Sequence, residues 1–322
     1  MLTQIALIAG GLALLLWGAE RFVAGAAASA RLLGMSPLLI GLTIVAFGTS
    51  APEILVSAAA ALDGSPGLAV GNAVGSNIAN IGLVLGVAAL LAPMRVESGL
   101  VRRELPLLLA ASGLSLVLVL DGHLGRLDGT LLLVGLVGML AWFLRIALRA
   151  GDAALPAGTA PTEAVMMTPG RALTWLLVGL MALLVGARLA VTGAQALSLA
   201  LGVDEVLVGV SVLAVGTSLP ELAVTAVAAL RRQHDLALGN IVGSNLFNLF
   251  AVLGTTGVIG PAALSSGMLS LHFPVMLGFT VALFLMAYNW RRGGGGRINR
   301  LEGGALLAAF LVYHALLMLE LR

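Results

Sequence analysis

Two glutamates set deep in apolar sequence need explaining first. Glu53 closes the run Gly48-Thr49-Ser50-Ala51-Pro52-Glu53, and Glu221 closes Gly216-Thr217-Ser218-Leu219-Pro220-Glu221, 168 positions further on. An ionisable group inside the hydrocarbon is costly and marks a functional site by default. Each glutamate follows the same turn. Proline has no N–H, so the carbonyls of Gly48 and Gly216 lose their helical partners. In lipid such carbonyls must face protein, water or an ion. Ser50 lies three residues before Glu53, and Ser218 three before Glu221, so each pair shares a helix face. This predicts two membrane helices, each broken at a carboxylate.

A second pattern repeats at the same offset. Gly71-Asn72-Ala73-Val74-Gly75-Ser76-Asn77-Ile78-Ala79-Asn80 pairs with Gly239-Asn240-Ile241-Val242-Gly243-Ser244-Asn245-Leu246-Phe247-Asn248. Ser76 and Asn80 sit four residues apart on one helix face, as do Ser244 and Asn248. The glycines leave room for close helix approach. Asn72, Asn77, Asn240 and Asn245 read as a mixture of hydrogen bonding at the breaks and packing. Together the motifs supply carboxylates, amides, hydroxyls and freed carbonyls, which is hard-oxygen chemistry. Calcium takes about 6–8 oxygens in irregular geometry, and sodium accepts the same donors. Soft metals and zinc are disfavoured: the chain has no cysteine, and His123, His234, His272 and His314 lie outside the motifs.

The surrounding sequence must hold these motifs in a membrane. The chain has 322 residues, 60% hydrophobic and only 10% charged, against about 25% charged in soluble domains. Mean hydropathy is +1.08. The formal charge of +2 gives no case for nucleic acid, and without cysteine there is no disulfide framework. About 20 apolar residues cross the ~30 Å hydrocarbon core, which predicts an all-α membrane protein with ten spans: 3–32, 36–62, 67–91, 101–120, 127–149, 170–200, 204–230, 235–259, 270–289 and 302–320. The first is read as a retained helix, because it has no basic leader and continues past Glu20 and Arg21. Residues 1–149 and 170–322 each hold five spans, with a linker at 150–169. An odd number of spans per half makes the halves inverted repeats. All 17 basic residues are arginine, and with the N-terminus outside, thirteen fall at inner loops and helix ends against Arg126 and Arg322 outside. Both termini and the loop at Gly64 are therefore expected outside, and the linker, Gln233 and the loop Gly293–Gly296 inside. Glu20, Arg21 and Arg188 fall within spans by length, where they pair or snorkel.

The doubled G-T-S-x-P-E and G-S-N-[IL]-x-N segments resemble the two α-repeats of the calcium:cation antiporter superfamily. The resemblance is greatest to sodium/calcium exchangers, and among them to bacterial inner-membrane members. It implies α-repeats at 41–86 and 209–254, and sodium/calcium antiport by alternating access to a shared midplane site, commonly about three sodium ions per calcium. It implies Glu53 and Glu221 as principal calcium ligands, with the carbonyls of Thr49 and Thr217. Sodium sites would add the carbonyls of Ala46 and Ala214 and the hydroxyls of Ser50, Ser76, Ser218 and Ser244, and Asn80 and Asn248 would complete the central position. Helices 1 and 6 would slide as the moving unit. Residue 51 is Ala where Leu is common, and residue 248 is Asn where potassium-dependent relatives and some prokaryotic members carry Asp. Proton-coupled calcium exchangers usually carry G-N-x-x-E in this region. The expectation is thus an antiporter in the cell's inner membrane, not an enzyme, with no cofactor, with sodium, calcium and the bilayer as partners, and monomeric. A proton-coupled exchanger and a passive cation channel are the alternatives.

Overall fold

With no water to bond its backbone, an apolar span must coil into helix, and the chain does so throughout the described segments. The computed structural model describes residues 1–150, 167–201, 214–289 and 295–320. In order these form α1 (Leu2–Leu32), α2 (Pro37–Leu62) and α3 (Pro66–Leu91). Next come α4, a π-helical turn Leu100–Glu104 running into Leu105–Leu118, and α5 (Arg126–Ala150). The second half has α6 (Pro169–Ala200) and α7 in two pieces, Ala214–Thr217 and Leu219–Leu230. It continues with α8 (His234–Ile259), α9 (Met268–Ala287) and α10 (Arg300–Glu320). Among the described residues eight of these are long and apolar enough to cross a membrane; α4 and α7 are not. The start of α4 carries Arg102, Arg103 and Glu104. For α7, the expected residues 204–213 lie outside the described residues, as do 151–166 of the expected linker and Gly293 and Gly294.

Starts are marked as the sequence dictates. Ser36 accepts a bond from Leu39 N–H ahead of Pro37, and Thr168 caps α6 ahead of Pro169, satisfying donors that a helix N-terminus leaves free. The helices sort by burial. α8 is enclosed on all sides and α3 nearly so, and both pack on α2 and α7. α5 and the outer face of α2 present Val134, Val137 and Leu55 outward, which is where lipid replaces protein. Two short antiparallel clips tie distant loops together: Met94–Arg95 with Arg297–Ile298, and His123–Leu124 with Ala262–Ala263.

α1 and α6 lie antiparallel along a seam of glycines spaced by seven: Gly11, Gly18 and Gly25 against Gly179, Gly186 and Gly193. A methyl built on Gly18 would lie 2.8 Å from the Leu183 nitrogen, and one on Gly186 2.7 Å from the Leu15 nitrogen. Only glycine permits backbones this close. Outside the seam, Arg21 stacks over Trp17 and Trp175, and Glu20 reaches Arg231 at 3.7 Å. Arg188 is exposed.

The expected breaks take a different form. In α2, Pro52 sits within an unbroken α-helix, Ala46–Leu62, and the irregularity is the π-helical turn Gly41–Val45 just before it. In α7 the helix does stop, at Ser218, and restarts with Pro220 in its first turn. A proline removes one bond of the ladder but does not by itself end a helix when neighbours cover the freed carbonyl. Further π-helical turns fall at Asn80–Leu85, Asn248–Val252 and Met268–His272. The turns beginning at Asn80 and Asn248 start on the two asparagines of the repeated motif. Such turns frequently mark functional sites.

Candidate functional site

α2, α3, α7 and α8 bring the two motifs together in the protein's centre. The carboxylates of Glu53 and Glu221 are each 1% exposed and close enough to interact electrostatically. Glu221 is reached from the other half: Ser50 donates its hydroxyl to Glu221 Oε1 at 3.2 Å. Thr49, the preceding residue of α2, has its hydroxyl 3.1 Å from Asn240 Oδ1, 3.3 Å from the Ala46 carbonyl and 3.4 Å from Ser244 Oγ. The carbonyl of Ala46 therefore points into this cluster.

The amides form a doubled network. Asn248 Nδ2 donates to Asn77 Oδ1 at 3.1 Å, and Asn80 Nδ2 donates to Asn245 Oδ1 at 3.1 Å. Each bond is the other's image under the 168-residue offset. Outside them, Asn72 Nδ2 donates to Ser57 at 2.9 Å and Asn240 Nδ2 to Thr225 at 3.0 Å, again as images. Every one of these groups is buried or half-buried, so the bonds hold the motif faces where no water can compensate a misplaced dipole.

A set of oxygens is left over. Glu53 Oε2, Glu221 Oε2, Asn80 Oδ1, Asn248 Oδ1 and Ser218 Oγ are buried and have no hydrogen-bond partner among the described residues. A buried acceptor without a donor is costly, and native proteins rarely leave one unexplained. Here five lie on the two repeated motifs. Four accept only, and the serine hydroxyl can turn its lone pairs inward. A cation satisfies such a set, whereas an anion or an apolar ligand does not. Two carboxylates with amide and hydroxyl oxygens suit calcium or sodium. The described residues contain no cluster of three or more His, Cys, Asp or Glu of the kind a transition metal takes.

Of the residues expected at the site, Glu53, Glu221, Thr49, Ser50, Ser244 and the Ala46 carbonyl converge in this way, Asn80 and Asn248 bond across the halves to Asn245 and Asn77, and Ser218 is buried with its hydroxyl unpartnered. Ser76 is buried and also lines a cavity of about 180 Å³ between α3, α9 and α10, with Asn72, His272, Tyr313 and His314. Thr217 closes the first piece of α7, half-buried, and Ala214 opens it. Two side chains gain roles that the sequence did not assign, Ser57 and Thr225, while Asn77 and Asn245, read from the sequence as hydrogen bonding and packing, bond to the opposite half. The signal available was the offset itself, since a hydroxyl stands at both 57 and 225.

Comparison with known proteins points one way. The family model described as sodium/calcium exchanger protein matches residues 3–145 and 171–319. The chain is similar to CaxA of Alkalimonas amylolytica, 44% identical over 322 residues, covering 98% of this chain and 99% of that protein. It is similar to inner membrane protein YrbG of Escherichia coli, 39% identical over 321 residues, covering 98% and 97%. Among solved structures it resembles the sodium-calcium exchanger NCX_Mj soaked without sodium or calcium, with a TM-score of 0.83, 32% identity, and 98% of this chain and 99% of that one covered.

Proposed function

Because the chain belongs to the sodium/calcium exchanger family, we propose that it is a secondary antiporter that exchanges sodium for calcium across the membrane in which its helices lie. It works as a carrier rather than a catalyst. The observation that carries this reading is the set of five unpartnered, buried oxygens on the repeated motifs of both halves, those of Glu53 and Glu221 among them. Calcium, as cargo, binds between the two carboxylates with the carbonyls of Thr49 and Thr217. Sodium ions take the carbonyls of Ala46 and Ala214 with the hydroxyls of Ser50, Ser76, Ser218 and Ser244. Asn80 and Asn248 present oxygen at the centre. The two ions compete for one set of oxygens, so release of one admits the other, and the site opens to each side in turn.

The layout proposed is ten spans in two inverted halves, 1–149 and 170–322, with α-repeats at 41–86 and 209–254 and a cytoplasmic linker at 150–169. It lies in the inner membrane with both termini outside. Support comes from the paired hydrogen bonds at one offset, the arginine distribution and the name of the Escherichia coli relative.

The test is calcium uptake by purified protein in liposomes, with and without an imposed sodium gradient. Uptake that requires sodium on the opposite side is expected. Uptake driven by a pH gradient without sodium would replace this reading with proton-coupled exchange. Flux needing no ion on the opposite side would mean a channel.

A further inference from the structure

An amide can turn its oxygen or its NH2 toward a cation, and only the oxygen binds it. Which end Asn80 and Asn248 present is decided by their neighbours. Asn248 spends its NH2 on Asn77 Oδ1, and Asn80 spends its NH2 on Asn245 Oδ1, both at 3.1 Å. What remains of each amide is the unpartnered Oδ1. Asn77 is itself held in orientation: its NH2 lies 3.3 Å from the Asn245 carbonyl oxygen and 3.7 Å from Met276 Sδ. Turning it over would break both contacts and set NH2 against NH2. Asn77, Asn80 and Asn248 are 1% exposed and Asn245 is fully buried, so water cannot repair a reversed amide.

We propose that Asn77 is a positioning residue that fixes the polarity of Asn248 and restricts position 248 to neutral groups able to donate a hydrogen bond, and that Asn245, whose own NH2 is buried without a partner, holds Asn80 in the same way but less firmly. The site's formal charge is thereby held at that of Glu53 and Glu221 alone. This rests on the exchanger reading of the site and deepens it. An ionised carboxylate at 248 would place an acceptor against Asn77 Oδ1 with no donor between them, which in a buried setting is a repulsion of like dipole ends. The constraint comes from residue 77, so removing its acceptor should lift it.

That gives a test in which effects change sign. Calcium binding to purified, detergent-solubilised protein is measured by calorimetry for Asn77→Leu, Asn248→Asp and the double variant. Asn77→Leu alone should lower calcium affinity at least tenfold, because the amide at 248 is then free to turn its NH2 inward. Asn248→Asp alone should also lower it. Combined, the carboxylate offers oxygen on both faces and meets no acceptor, so affinity should return to within about threefold of the starting protein. Size-exclusion profiles report folding; where Asn77→Leu does not give a monodisperse protein, Asn77→Ala takes its place. The image pair, Asn245→Leu with Asn80→Asp, should show the same change of sign at smaller size, because the Asn245 NH2 has no partner to hold it. Simple addition of the two single losses, as a merely structural role for Asn77 predicts, would overturn the proposal, as would unchanged affinity in Asn77→Leu. If the starting protein binds no calcium, the exchanger reading fails instead.

Discussion

Replacing Glu221 with glutamine keeps the side chain's size and removes one negative charge from the centre of the protein. Ser50 donates to Oε1, so glutamine would keep its oxygen there and turn its NH2 to where the unpartnered Oε2 now points. Both changes oppose a cation. Two unit charges about 4 Å apart interact by about 4 kcal/mol at an effective dielectric constant near 20. For a doubly charged ion the loss doubles to about 8 kcal/mol, part of which water and neighbouring oxygens recover. Allowing half to be recovered leaves about 4 kcal/mol for calcium, close to a thousandfold in affinity. The same allowance leaves about 2 kcal/mol for each sodium ion, roughly thirtyfold. Calcium should therefore lose about twice as many decades as sodium. The assay is equilibrium binding of each ion to purified protein at constant ionic strength, with Glu53→Gln as the matching variant. A calcium loss below tenfold, or a sodium loss as large as calcium's, would refute the assignment of these carboxylates to the ion.

Four other outcomes are expected. Single cysteines at Ser65 and Gln233, added to a chain with none of its own, should react with an impermeant maleimide from opposite sides of the membrane, and labelling from the same side would end the inverted layout. If three sodium ions exchange for one calcium, each cycle moves one charge, worth about 2.3 kcal/mol per 100 mV; an inside-negative potential should then speed calcium exit, and flux indifferent to potential would exclude that stoichiometry. Gly18→Leu or Gly186→Leu forces a side chain where even a methyl meets backbone within 3 Å, so melting in detergent should fall by the equivalent of about 1–3 kcal/mol or more, whereas Gly10→Leu, facing open space among the described residues, should leave it unchanged. Glu20 pairs with Arg231, while their images at 168 residues' offset, Arg188 and Asp63, form no ion pair among the described residues; Glu20→Gln should shift the balance between the two access states by no more than about fivefold, read as a change in cysteine accessibility on the two faces, and a larger shift would give the pair a dominant role that exposed charges rarely have.

Much of the site was legible because it is written twice. Two motifs at one offset named the glutamates, serines and asparagines, and polarity inside apolar sequence marked them as functional. The manner of the helix irregularities was not legible. Pro52 and Pro220 occupy equivalent motifs, yet only α7 stops, at Ser218, while α2 runs through its proline after a π-helical turn. A local sequence rule gives one answer for both, and the neighbours decide otherwise. The partners of Asn77 and Asn245 were hidden for a related reason. Their bonds run to the opposite half of the chain, so their meaning depends on which helices meet. The seam glycines were readable in principle, being seven residues apart in both halves, but small residues in apolar sequence carry little signal until the partner helix is known.

That seam has a consequence for where the protein came from. The contact of Gly11 with Gly186 maps onto the contact of Gly179 with Gly18 when each residue is moved to its counterpart in the other half. An interface that maps onto itself is isologous, the kind two identical subunits make across a twofold axis. Each half thus carries both sides of its own joint. A single small gene whose product entered the bilayer in either orientation would have assembled this seam as a homodimer, before any duplication joined the copies. In that case the fusion supplied equal numbers and a fixed opposite orientation, while mutual recognition was already present. The two halves, made today as separate polypeptides ending at residue 150 and starting at residue 167, should still find each other in the membrane.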